Sequence, residues 1–271
     1  MIWFVVAVAI LAALYLFLIF PALRRHPDRL YLNGQYIAHR GLHGLDPNTP
    51  ENSLAAYRKA MQAGLTIEID IHLTADGEVV VFHDDDLKRV CGVDRKVEEM
   101  TLKELKACRL LGTPETIPTL QECLDTVDGK VALLIEFKCV NYNHRPLCEK
   151  ANEILSAYTG KYMVQSFYPF VLGWYKRNRN DICRGQLAAR FKGEALHKRM
   201  LGCMLFNFLA RPDFVSYDHL DANHLARRLV TKLGAFPVGW TFTSQQAVDA
   251  HRDNFKTYIF EEFLPTDRQN T

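Results

Sequence analysis

The spacing of hydrophobic and polar positions changes several times along this chain, and each change marks an element. Residues 2–20, IWFVVAVAILAALYLFLIF, carry no charged side chain, and a run of that length matches the roughly 20 apolar residues that cross ~30 Å of hydrocarbon. From residue 36 onward, short β-branched or apolar runs alternate with stretches of helical period. YIAH (36–39), TIEIDIHL (66–73), VVVFH (79–83), VALLIEF (131–137), YMVQSF (162–167), CRGQLAA (183–189), DFVSYD (213–218), PVGWTF (237–242) and TYIF (257–260) predict strands. Helices are predicted within 51–63, 145–158, 168–178, 223–233 and 244–253. Alternation of this kind over about eight units predicts an α/β fold, a parallel sheet closed into a (β/α)8 TIM-type barrel, with a doubly wound sheet as the competing architecture.

One connection breaks the alternation. TADG (74–77) joins the second run to the third, too short for a parallel crossover, so the two runs must form an antiparallel hairpin around an Asp-Gly turn. With Ala75 and Asp76 as its loop, Thr74 pairs with Gly77 and His83 falls opposite Glu68. Residues 84–130 lack a barrel-like strand and read as a short helical insertion beside the barrel mouth. MTLKELKACRLLG and IPTLQECLDTV supply its two helices, the second with Pro118 at its first helical position.

The apolar N-terminal run ends at Pro21, and Arg24, Arg25 and Arg29 follow it. A cleaved signal peptide would need a basic start, a shorter apolar core and a small-residue cleavage site. The run therefore reads as a retained, single-pass transmembrane anchor (1–22) and a juxtamembrane linker (23–35), ahead of a barrel spanning 36–265. Basic residues on its C-terminal side place the barrel in the cytoplasm. The seven cysteines form no C-x-x-C pair, which fits reduced core thiols in such a compartment. A formal net charge of +2 with no long basic block speaks against a nucleic-acid partner.

Chemistry gathers at the strand ends. In IEIDIH, Glu68, Asp70 and His72 share one face of a strand and Ile67, Ile69 and Ile71 the other. A solvent-facing edge strand shows the same alternation. LLIEFK adds Glu136 and Lys138 near the C-terminal end of another strand, where barrel enzymes build their sites. Three converging carboxylates make a hard oxygen site suited to Mg2+ or Ca2+. His39 and His83, each at a strand end, can exchange protons near neutral pH, and Arg40 offers a forked cation shaped for phosphate.

AHRG followed by PEN, then IEID, T-x-DG, VVVFHD, IPTL and IEFK, in this order and spacing, resembles the glycerophosphodiester phosphodiesterase family, as a compact bacterial-type member. The likeness is dense over 36–140 and continues more thinly through QSF (165–167) and VGWTF (238–242). It implies metal-dependent hydrolysis of glycerophosphodiesters to sn-glycerol 3-phosphate and an alcohol, a role in lipid metabolism. Glu68, Asp70 and Glu136 would be metal ligands for Mg2+ or Ca2+, and His39 and His83 the acid–base pair, His39 as base. Arg40 and Lys138 would bind phosphate or substrate oxygens. Glu51 would line the site, Asn52 would cap the helix after it, and Trp240 would pack on the glycerol or head group. Val90-Cys91 departs from the small hydroxylated residues usual in the family, and His72, variable there, stays outside the catalytic set. The anchor keeps open a lysophospholipase D acting on membrane lysophospholipids. A phospholipase C-like enzyme and a non-catalytic binding barrel are the more distant alternatives.

Overall fold

In the computed structural model, which describes residues 1–140 and 144–266, every predicted strand forms within two residues of its expected limits. They are β1 (Tyr36–Ala38), β2 (Thr66–Leu73), β3 (Val79–Val81), β4 (Leu133–Phe137), β5 (Tyr162–Ser166), β6 (Arg184–Ala188), β7 (Phe214–Asp218), β8 (Phe236–Phe242) and β9 (Thr257–Phe260). All but β3 pair in parallel in the order β1-β2-β4-β5-β6-β7-β8-β9, and β9 pairs back onto β1. The barrel is therefore closed and the doubly wound alternative falls. Helices at Leu54–Gln62, Leu120–Val127, His144–Ser156, Pro169–Asn178, Leu225–Lys232 and Gln245–Ala250 sheathe it.

The two faces of the strands explain the sequence pattern. Ile67, Ile69, Ile71, Ile135 and Val164 pack outward against the helices in the main hydrophobic cluster. Inside the barrel, Ile37, Leu134, Met163, Phe214, Val238 and Ile259 form a second, apolar cluster that Leu32 joins. Phe214 fills so much of this interior that a methyl on Gly185 would stand 1.9 Å from its ring. Polar residues take over above this floor: Asp70, Glu136 and Gln165 are successive partners across β2, β4 and β5, and Ser216 donates to Gln165 Oε1 at 2.8 Å.

β3 is antiparallel to β2, as the short connection required, but the register differs from expectation by one residue. Ile71 pairs with Val81 and Leu73 with Val79, and Thr74 N–H bonds Glu78 O at 2.9 Å. The loop is Ala75–Gly77, with Gly77 at φ 82°, a three-residue turn closed by a left-handed glycine rather than a two-residue one. Between β3 and β4, the first expected helix shrinks to Leu102–Lys106, and the second, Leu120–Val127, starts two residues later than Pro118 suggested. Thr119 is its N-cap, in a reciprocal capping box with Glu122, because a side chain that accepts an N–H outcompetes a proline for that boundary. Around Val90-Cys91 the chain makes a single helical turn, Lys88–Cys91, closed by left-handed Gly92.

Helix α1 (Ile2–Ile19) is long and apolar enough to cross a membrane. It is exposed over residues 2–14 and meets the barrel only in its last turns.

Candidate active site

The C-terminal ends of β1, β2 and β4 bring the expected residues together. Glu68, Asp70 and Glu136 are buried, each offering an oxygen within 4.8 Å of the others. Lys138 Nζ lies 2.6 Å from Glu136 Oε1 and 3.1 Å from Asp70 Oδ1. Glu68 Oε2 accepts the Arg40 N–H at 3.0 Å, while Glu68 Oε1 is buried and accepts nothing. Three acids against Lys138 and a shared Arg40 leave excess negative charge. Burial, Asp70 and Glu136 push Glu68 well above the ordinary carboxylate range. Burial and Asp70 also raise Glu136, against the pull of Lys138. Burial would raise Asp70 too, but Lys138, His83 and Arg40 outweigh it and hold it ionised. The same carboxylates hold Lys138 protonated although burial opposes its charge. A buried oxygen without a donor, in an all-oxygen set short of positive charge, fits a hard divalent cation.

The loop after β1 is shaped by backbone constraints. Arg40 and Gly41 both take positive φ, 52° and 81°, and a methyl on Gly41 would meet Ala56 Cβ and the Tyr57 ring at 2.9 Å. This turn sends Arg40 back over the carboxylates, with Nε 3.7 Å from Asp70 Oδ2 and Nη1 2.7 Å from Glu51 Oε1. Asn52 differs from its expected part. Ser53 is the N-cap of Leu54–Gln62, accepting from Ala56 N–H. Asn52, held at φ 53°, donates Nδ2 to Asp70 Oδ2 at 2.9 Å and accepts from Tyr57 OH at 2.9 Å. A left-handed residue cannot give the extended geometry an N-cap needs.

His39 and His83 face one another with ring centroids 6.5 Å apart and planes at 81°. Each has a carboxylate at Nδ1: Glu261 Oε2 at 2.6 Å from His39, and Asp84 Oδ1 at 2.6 Å from His83. A neutral imidazole donating from Nδ1 keeps its unshared pair on Nε2. Burial, with Arg40 adding to it, lowers the His39 pKa below its ordinary value despite the Glu261 bond, a shift that favours the neutral ring. Asp84 is held at about 2: burial alone would raise it, but bonds from Arg89 and His83 prevail. Arg89 also grips Glu51 with Nη1 at 2.6 Å and Nη2 at 2.7 Å. Glu51 thus bridges Arg40, over the carboxylates, and Arg89, behind His83.

His72 is buried with its pKa lowered to about 4, chiefly by burial, and its Nε2 lies 3.3 Å from His83 O. It steadies the His83 main chain through this bond and feels the nearby Asp70 charge. Trp240, on β8, packs edge-on to Phe167 at 5.7 Å above the interior cluster, its Nε1 buried and without an acceptor.

Glu261, Asp84 and Arg89 were not among the expected residues. Asp84 had a signal, standing next to His83. Glu261 lies 222 positions from His39 and meets it only because β9 pairs with β1. Glu261→Gln is expected to lower kcat by about 10- to 100-fold, as loss of an orienting partner does. It also removes the charge that opposes burial at His39, so the acid limb of the pH–rate profile should move to lower pH. A limb that stays in place would show that Glu261 does not govern this imidazole.

The Glycerophosphoryl diester phosphodiesterase family matches residues 39–188. A relative in Bacillus subtilis (strain 168), YhdW, which carries a glycerophosphodiester phosphodiesterase name, is 39% identical over 78% of this chain and 86% of its own length. Homo sapiens lysophospholipase D is 29% identical over 60% of this chain, and that match spans only 55% of the human protein. Among solved structures, an Oleispira antarctica phosphodiesterase in complex with the product sn-glycerol-3-phosphate superposes with a TM-score of 0.70 at 25% identity. It covers 86% of this chain and 95% of its own.

Proposed function

This chain belongs to the Glycerophosphoryl diester phosphodiesterase family, and from that premise we propose that it hydrolyses glycerophosphodiesters to sn-glycerol 3-phosphate and an alcohol. The observation that carries the reading is the pair of facing imidazoles, each oriented at Nδ1 by a carboxylate, beside a buried cluster of three acids. Glu68, Asp70 and Glu136 would hold a divalent cation, Mg2+ or Ca2+. When bound there, such a cation supplies charge stabilisation at a phosphoryl oxygen.

The chain's own groups divide the remaining work. His39 Nε2 takes the proton from the attacking oxygen, that of a water or of the substrate's glycerol 2-hydroxyl; in the second case a cyclic phosphate forms first and water then opens it to glycerol 3-phosphate. His83 Nε2 delivers a proton to the departing alcohol oxygen, so that the new P–O bond forms as the old one breaks. Arg40, fixed by Glu51, and Lys138 offset charge on the phosphoryl oxygens. Trp240 offers an apolar face and an unused N–H to the glycerol or head group.

Helix α1 serves in this reading as a retained, single-pass membrane anchor with the barrel on the cytoplasmic side. A lysophospholipase D variant of the reaction is favoured by that anchor and by the name of the human relative. The test uses the full chain with glycerophosphocholine and, separately, lysophosphatidylcholine. Glycerol 3-phosphate or lysophosphatidate should appear with Mg2+ or Ca2+ and vanish with EDTA. Release of phosphocholine instead would indicate phospholipase C-type cleavage and overturn the assignment.

A further inference from the structure

We propose that the catalytic face of the barrel docks on the surface of the lipid bilayer that holds α1, an inference that rests on reading α1 as a retained anchor.

The direction of α1 points that way. Its C-terminal turns are fixed along the segment that leads from β6 to β7. Ala22 N–H donates to Pro212 O at 2.9 Å. Arg211 Nη1 donates to Phe17 O at 2.7 Å and Phe20 O at 2.9 Å, and Asn207 Nδ2 to Ile19 O at 3.0 Å. The Phe17 ring meets Phe208 at 6.3 Å, and Tyr15 lies near Cys203. Pro212 belongs to the N-terminal end of the barrel, since its neighbour Asp213 donates its N–H to Arg184 O at the start of β6. Gly202 belongs to the other end: a methyl on it would stand 2.3 Å from Ala189 O, just beyond β6. Followed from residue 22 back to residue 15, the chain therefore climbs the barrel wall toward the catalytic end. Residues 2–14 continue beyond these contacts, exposed, for about 20 Å at 1.5 Å per residue.

Length turns this direction into a constraint. All 18 residues of α1 span only about 27 Å, against ~30 Å of hydrocarbon. Its last turns are held against the barrel wall. The part of the helix clear of the wall, about 20 Å long, comes closest to spanning the membrane interior when the catalytic rim is down at the interface.

The rim is suited to that position. Leu45, Phe170, Leu196, Leu220, Leu225 and Leu264 are exposed, and all lie in the loops or first helical turns that follow β1, β5, β6, β7 and β9. Leu220 is 81% and Leu196 70% exposed. A single exposed leucine needs no explanation, but a set gathered on one face does. The loop that carries Leu196, next to α1, also carries Arg190, Lys192, Lys198 and Arg199 against one acid, Glu194. Cations for lipid phosphates beside apolar tips that enter between head groups are the chemistry of an interfacial surface. Leu23 and Leu30 are also exposed, at the opposite end of the barrel, where Arg24 bonds Ile182 O ahead of β6 and Arg29 bonds Gly234 O ahead of β8. A docked rim would deliver the phosphodiester of a membrane lysophospholipid to the mouth without taking its acyl chain through water.

The test places benzoylphenylalanine at position 220, at 196 or at 30 of the full chain in phosphatidylcholine–phosphatidylglycerol vesicles. Photolysis should give about tenfold or more lipid adduct at 220 and 196 compared with 30, as depth in an interface requires. Equal adduct at all three positions, excess at 30, or adduct to protein rather than lipid at 220 would overturn the docking. Alkaline carbonate extraction of the same vesicles reports on the anchor separately. A chain that stays with the membrane but gives no lipid adduct at 220 refutes the docking alone, whereas release of the chain refutes the anchor and the docking with it.

Discussion

His39→Ala and His83→Ala are each expected to lower kcat/KM on a glycerophosphodiester by about 10^2- to 10^4-fold, the range for loss of a positioned acid or base. The two losses should differ in pH dependence. Burial and the Arg40 cation depress the His39 pKa below its ordinary 6.5. A base works when unprotonated, so the rate of the parent should rise with pH along a limb centred below that value and level off toward neutrality. His39→Ala should erase that limb, and His83→Ala should keep it at reduced height. Neither ring bonds the main chain, and each is held by a single carboxylate, so thermal melting should change little. Near-normal turnover in either variant would remove it from the acid–base pair.

Glu68→Gln should break the proposed cation site at its least supported member. The amide oxygen still accepts the Arg40 N–H, which lies 3.0 Å from Glu68 Oε2, and the shape is kept. What disappears is a charge that burial, Asp70 and Glu136 all disfavour. In EDTA the variant should therefore melt as high as the parent or higher. On adding Mg2+ or Ca2+ the parent should gain stability, about 2.7 kcal/mol at 100 times Kd, and the variant should gain little. Activity should drop by about 10^2- to 10^3-fold, the scale of several kcal/mol of lost charge stabilisation. A variant that keeps the full divalent-induced shift in melting would exclude Glu68 as a ligand. The melting readout does not depend on substrate, so it separates metal binding from catalysis.

Much of this site was legible before folding because barrel strands run from a fixed end to a fixed end. A period-2 face with Glu68 and Asp70, next to outward isoleucines, could belong to a barrel interior, and Glu136 with Lys138 marked the same level of another strand. The helix boundaries were less legible. Asn52 and Ser53 are both good N-cap residues, and the choice between them rests on the positive φ that Asn52 takes to reach Asp70. The hairpin slipped by one residue because Thr-Ala-Asp-Gly suits a two-residue or a three-residue turn, and the left-handed glycine settles on the latter. His83 still reaches the site because the chain leaves the sheet after Val81.

Local pattern was sufficient for the alternation of strands and helices, the one antiparallel exception, the apolar N-terminal helix and the residues that carry charge at strand ends. These follow from backbone geometry, since a period of two or 3.6 and a minimum crossover length are properties of short segments. Closure of the sheet supplied the rest. Pairing of β9 with β1 set Glu261 against His39, and the bidentate grip of Arg89 on Glu51, 38 positions away, tied Glu51 to Asp84. The course of α1 along the wall toward the catalytic end depends on bonds from Asn207 and Arg211. Contacts between residues that are distant in the chain have no local period, so they exist only once the barrel has closed.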